Sequence, residues 1–142
     1  MKKLLFIVLA GSMLFAGQRF VRDNSKQVVK DTKTHLMWQD NKDAKTVKRD
    51  WQGAINYCRN LKLGGYRDWR LPSEGELLTI VDYREYKPTI SPVFKNVASK
   101  PYWSSTSYAG NPSCYWIVSF YNGIVIWDGI EMNDYVRCIR DY

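Results

Sequence analysis

Cysteine restricts this chain most, because of where two of its three copies fall. Cys58 lies on an apolar stripe, Trp51, Ala54, Ile55, Cys58 and Leu61, whose spacing is helical. Asp50 stands just before the stripe, where a carboxylate can cap a first turn. A helix is therefore expected from residue 51, with Cys58 facing inward. Cys138 lies in the last apolar run, Tyr135 to Arg140, which reads as a strand. Three cysteines allow one intramolecular bond and three pairings. A Cys58–Cys138 bond would tie that helix to the last strand across about 80 residues, a closure whose entropic gain grows with loop length. Three buried thiols in a reduced protein is the alternative. There is no Cys-x-x-Cys spacing, so neither redox catalysis nor a zinc ribbon is supported.

The start of the chain bears on compartment. Lys2 and Lys3 precede an uncharged run from Leu4 to Phe15, and Ala16-Gly17 supplies small residues for cleavage. This is the anatomy of a secretory signal peptide over residues 1–16, although Leu14 fits the small-x-small rule poorly. The run of 12 residues falls short of the ~20 that a bilayer-spanning helix needs; an uncleaved anchor is the alternative. No later segment is long enough to span a membrane, so none is expected after cleavage. Residues 20–141 read as one domain, periplasmic or secreted.

Charge is uneven along the chain. The formal net is +7, and residues 19–49 hold nine Lys or Arg against four Asp, whereas residues 102–142 hold two Arg against four acids. Lys42, Lys45, Lys48 and Arg49 concentrate the positive charge in one polar segment that reads as a loop, a candidate contact for an anionic partner. An ordinary solvated surface is the plainer reading. Export argues against nucleic acid and favours an acidic polysaccharide or cell surface.

Around this segment the elements alternate. Phe20 to Arg22, Gln27 to Lys30 and Thr34 to Gln39 are β-prone runs separated by turn residues. The capped helix follows, then Gly64-Gly65. Ser73-Glu74-Gly75-Glu76 carries the Ser and Glu of a capping box, which starts a second helix with Leu77, Leu78 and Val81 inward. Arg84 to Pro101 holds three prolines and reads as a long irregular connection. Tyr102 to Thr106, Tyr115 to Tyr121, Ile124 to Trp127 and Tyr135 to Arg140 read as strands, with Asn122-Gly123 as a hairpin signal. Strands, two helices, a long loop and antiparallel strands make an α+β chain.

Several blocks together resemble one family. They are Leu36-Met37-Trp38-Gln39, the Trp51…Ala54…Tyr57-Cys58 helix, Leu63-Gly64-Gly65-Tyr66-Arg67-Asp68-Trp69-Arg70-Leu71-Pro72, Glu76-Leu77, Ile80-Val81-Asp82-Tyr83, Tyr102-Trp103-Ser104-Ser105-Thr106, Phe120-Tyr121-Asn122-Gly123 and Val136-Arg137-Cys138-Ile139-Arg140. In this order they resemble the Lcl C-terminal domain family, named from a bacterial collagen-like adhesin. The order of elements is also similar to the C-type-lectin-like fold: two helices packed on an antiparallel sheet. Members of that fold often join the first helix to the last strand by a disulfide. The resemblance thus implies Cys58–Cys138, with Cys114 free or paired between molecules. It further implies a secreted or surface module, since the namesake adhesin binds sulfated glycosaminoglycans. This chain departs from that adhesin in having no Gly-x-y stalk, so multivalent adhesion does not carry over.

Three kinds of chemistry remain to weigh. His35, the only histidine, reads as lying in a strand beside Leu36, and no nucleophile–base pattern accompanies it; no enzyme is expected. Asp128, Glu131, Asn133 and Asp134 lie within seven residues and could offer calcium several oxygens. The Glu-Pro-Asn and Trp-Asn-Asp signatures of calcium-dependent lectins are absent, however, and a solvated turn is the plainer reading; no cofactor is expected. Trp and Tyr number 16. Trp38, Trp51, Trp69 and Trp116 read as core. Trp103, Tyr121 and Trp127 are candidates to stack on sugar rings beside a cation. The expected function is an exported, non-catalytic module for anionic glycans or cell surfaces. The alternative is a structural or protein-interaction domain with an envelope protein as partner.

Overall fold

The computed structural model describes residues 17–142, so the signal-peptide reading of residues 1–16 lies outside the described residues. In chain order the elements are β1 (Phe20–Asp23), β2 (Val28–Asp31), β3 (Leu36–Gln39), α1 (Asp43–Thr46), β4 (Lys48–Arg49) and α2 (Trp51–Asn60). They continue with α3 (Glu74–Leu78), β5 (Pro101–Ser107), β6 (Cys114–Ser119), β7 (Val125–Gly129), β8 (Asp134–Tyr135) and β9 (Ile139–Asp141). The fold is α+β, but its strands form two sheets. One runs β1-β2-β3-β9 and the other β4-β8-β5-β6-β7. All neighbours are antiparallel except β5 and β8, which meet in parallel at Tyr102 and Tyr135.

Both helices form where their caps place them. The Asp50 side chain accepts the Gly53 amide at 2.8 Å, which starts α2. Ser73 and Glu76 make a reciprocal capping box for α3, and Arg70 forks onto Glu76 at 2.7 Å through both of its terminal nitrogens. That guanidinium, together with the cap amide, holds the Glu76 carboxyl below its usual range.

β3 is buried along its whole length because apolar residues cover both of its faces. Leu36 and Trp38 join a core with Leu77, Ile80, Phe94, Tyr102, Val118 and Phe120, against α3 and the Pro-rich connection. Met37 joins the opposite core with Ala54, Cys58, Trp69, Trp103 and Ile117, against α2. Alternation in β5 likewise sends Tyr102 to the first core and Trp103 to the second.

Three expectations need correction. Residues 41–49 are not a plain loop, since they hold α1 and the two-residue edge strand β4. The expected strand from Tyr135 to Arg140 is broken: β8 belongs to one sheet, β9 to the other, and Val136-Arg137-Cys138 crosses buried between them. There the Cys138 amide donates to the Gln39 side-chain Oε1 rather than to a strand carbonyl. His35 sits in the turn before β3 at φ 57°, not in a strand. The hairpin signalled by Asn122-Gly123 does form between β6 and β7, with positive φ at Gly123 alone and the Gly123 amide reaching back to the Ser119 carbonyl.

Candidate functional site

The Cys58–Cys138 bond forms, joining α2 to the segment that crosses between the sheets. Cys114 is free and buried at the start of β6.

The basic segment is built on buried supports. Asp40, fully buried, accepts Arg22 Nε at 2.6 Å and the amides of Lys95 and Asn96 at 2.9 and 3.0 Å. Arg137, also fully buried, lies against the same carboxylate at 3.3 Å and donates to the carbonyls of Gln39 and Asn96. Its guanidinium stacks over Phe94 and Tyr102. This network pins the Pro-rich connection, which has little regular structure of its own, to the end of β3. Tyr57 donates to Asp43 at 2.7 Å and receives Gln39 Nε2 at 3.0 Å, fixing α1. Burial, with Asp43 beside it, pushes the Tyr57 phenol well above its ordinary value.

Lys42, Lys45, Lys48 and Arg49 are all exposed, and none forms an ion pair among the described residues. They do not share one face. Lys42 precedes α1 as its N-cap residue and Lys45 sits on it, whereas Lys48 and Arg49 are successive strand residues whose side chains diverge. Lys48 lies over the Tyr135 ring at 5.9 Å and Arg49 over Tyr57 at 6.0 Å. Trp103, expected to face ligand, is fully buried. Its Nε1 donates to the Arg49 carbonyl at 2.8 Å, so it positions the basic strand from beneath.

The other two candidate aromatics are exposed but stand apart. Trp127, 52% exposed, pairs across the ladder with Trp116 and stacks on Tyr108 at 5.4 Å. Tyr121 lies at the opposite end of the hairpin, edge-on to Tyr86. The sequence reading also passed over Tyr83 and Tyr86, both exposed on the Pro-rich connection. Of the tryptophans read as core, Trp38 and Trp69 are buried; Trp51 and Trp116 are half-buried.

Of the four candidate calcium residues, Asp128 on β7 and Asp134 on β8 lie side by side. Burial, and then the Asp128 carboxylate beside it, push the Asp134 carboxyl up to about 8. Asn133 and Glu131 are exposed. Among the described residues, no three His, Cys, Asp or Glu side chains gather where they could hold a metal ion. His35 packs against the Tyr142 ring at the C-terminus.

The model of the Lcl C-terminal domain matches residues 27–140. The chain belongs to the Lcl C-terminal domain family. No curated protein matches it. Membership of the Lcl C-terminal domain family points to an adhesin-like extracellular module. A disulfide fits an exported protein. No helix among the described residues is long and apolar enough to cross a membrane.

Proposed function

We propose that the chain is an exported, non-catalytic binding module that takes anionic glycan, such as sulfated or acidic polysaccharide, along residues 42–49. One observation carries this reading: four exposed cations, none in an ion pair among the described residues, stand on an eight-residue segment held from beneath by Trp103 at the Arg49 carbonyl and by Tyr57 at the Asp43 carboxylate. Such cations keep their full charge for an incoming sulfate or carboxylate, and the contacts are salt-sensitive. Because Lys48 and Arg49 diverge, the favoured ligand is a chain that wraps the sheet edge rather than a single sugar in a pocket.

Heparin-column elution tests it. The Lys42→Gln/Lys45→Gln/Lys48→Gln/Arg49→Gln variant should elute at clearly lower salt than the parent. A control losing Lys26, Lys30, Lys33 and Lys62 instead should elute near the parent. Equal loss in both variants would reduce the effect to net charge and sink the reading.

A second reading has an observation of its own. β7 is the outer strand of its sheet, and Ile124, Ile126, Trp127 and Ile130 along it are all at least 40% exposed. Apolar edges of this kind serve protein partners. Co-purification of a defined envelope partner, lost on Ile126→Lys, would favour a protein-interaction domain.

A further inference from the structure

Beside α2, next to the basic segment that ends at Arg49, the surface carries an open pocket of about 370 Å³ whose own lining has the opposite charge. Asp50, Trp51, Gln52, Pro112, Tyr115, Ile130 and Glu131 line it. In a chain of formal charge +7, this wall holds two carboxylates and no basic residue. Neither Asp50 nor Glu131 forms an ion pair among the described residues. The Asp50 cap uses Oδ1 alone.

The aromatic part of the wall is rigid. Trp51 and Tyr115 stack with centroids 3.8 Å apart. Trp51 is fixed twice, its Nε1 donating to the Ser104 carbonyl and its amide to the Ile130 carbonyl, both at 3.1 Å. Pro112 and Ile130 supply apolar sides. The start of α2 would ordinarily favour an anion. Here the Trp51 amide is taken by Ile130 and the Gly53 amide by Asp50, which leaves less for an anion to bind. The pocket's volume lies within the usual range for small-molecule sites, and aromatic rings with carboxylates are the groups that recognise organic cations.

We propose that this pocket binds an organic ammonium group carried on a small body with an apolar face. A lysine side chain, a choline-type head group and an amino sugar share that chemistry. The site adjoins residues 42–49 at Arg49 but takes a ligand of opposite charge, so it does not rest on the glycan reading.

The test uses indole ¹H–¹⁵N NMR on the whole described domain, titrated with three probes: choline, Nα-acetyl-lysine amide and glucosamine. At least one should shift the Trp51 indole saturably, and the one that binds tightest identifies the source. The neutral choline isostere 3,3-dimethylbutan-1-ol should bind at least tenfold more weakly than choline, or not at all. Asp50→Asn/Glu131→Gln keeps a side-chain oxygen to cap α2 and should weaken binding of the best probe at least tenfold. An unchanged spectrum for that variant outside the pocket separates lost binding from lost folding. No saturable shift by any cation up to 50 mM overturns the proposal. So does a neutral isostere that binds as well as choline, or undiminished binding by the double variant.

Discussion

Opening the Cys58–Cys138 bond is the perturbation that reaches furthest into this architecture. The bond closes a separation of 80 residues, for which chain entropy predicts about 15 cal/mol/K, or about 4.5 kcal/mol at 25 °C. Reduction adds only two hydrogens to the native molecule, so nearly all of this loss belongs to the unfolded chain. For a domain of this size the melting temperature should fall by roughly 15–20 °C. Both sulfurs are fully buried, so the protein is reduced in urea and refolded by dilution with TCEP present. Urea unfolding followed by circular dichroism then gives the two stabilities, and the slope should rise on reduction because the freed chain exposes more surface. Cys58→Ala/Cys138→Ala should lose the same amount plus about 1–2 kcal/mol for packing around the missing sulfurs. Reduced protein within about 1 kcal/mol of oxidised protein would refute the reasoning. So would a non-reducing peptide map that joins Cys114 to either partner.

Three further outcomes follow from particular side chains. Arg137→Met should cost about 3–5 kcal/mol by urea unfolding, because it leaves the Asp40 carboxylate buried with one arginine fewer; proteolysis of the Pro-rich connection should rise with it. The Asp134 carboxyl titrates near 8 when folded against 3.8 as its ordinary value. Its contribution to stability is therefore fully present below about pH 4 and is lost as pH rises through about 8. Asp134→Asn should flatten the decline in melting temperature between pH 5 and pH 9 and be the more stable protein at pH 9, by roughly 2 kcal/mol after screening by the water that reaches the pair. Gly123→Ala should cost about 1–3 kcal/mol in thermal unfolding, since its φ is +78° and a Cβ there would meet Tyr83 Cε1 at 2.6 Å.

Local signals in the chain were read well where local chemistry decides the outcome. The Asp50 cap and the Ser73–Glu76 box depend on neighbours a few residues apart, and both formed. What failed depends on partners far away. Trp103 looks like any strand aromatic until β5 is seen to lie between two cores, with the Arg49 carbonyl waiting for its Nε1. Tyr135 to Arg140 reads as one strand because nothing local says that Gln39 and Asp40, about a hundred positions earlier, will take the Cys138 amide and the Arg137 guanidinium. The pocket at Trp51 was hidden for the opposite reason. Trp51 belongs to a helical apolar stripe, and only the arrival of Ile130 and Tyr115 makes its remaining surface a wall.

This division bears on where a ligand can sit. Several of the residue blocks that carry the resemblance are consumed by the scaffold. Asp68 pairs with Arg140 at 2.7 Å, and Arg140 lies 3.8 Å over the Tyr66 ring. Arg70 holds Glu76, Trp69 is buried, and Arg137 and Cys138 hold the crossing between the sheets. Removing any of these should disturb folding before it disturbs binding. The exposed cations of residues 42–49, the apolar edge at β7 and the acidic pocket beside Trp51 lie largely outside those blocks, and each can be changed with its supports left intact. The proposed sites are therefore separable from the fold: variants at Lys45, Ile126 or Glu131 should keep the melting temperature of the parent while weakening the binding proposed for each site.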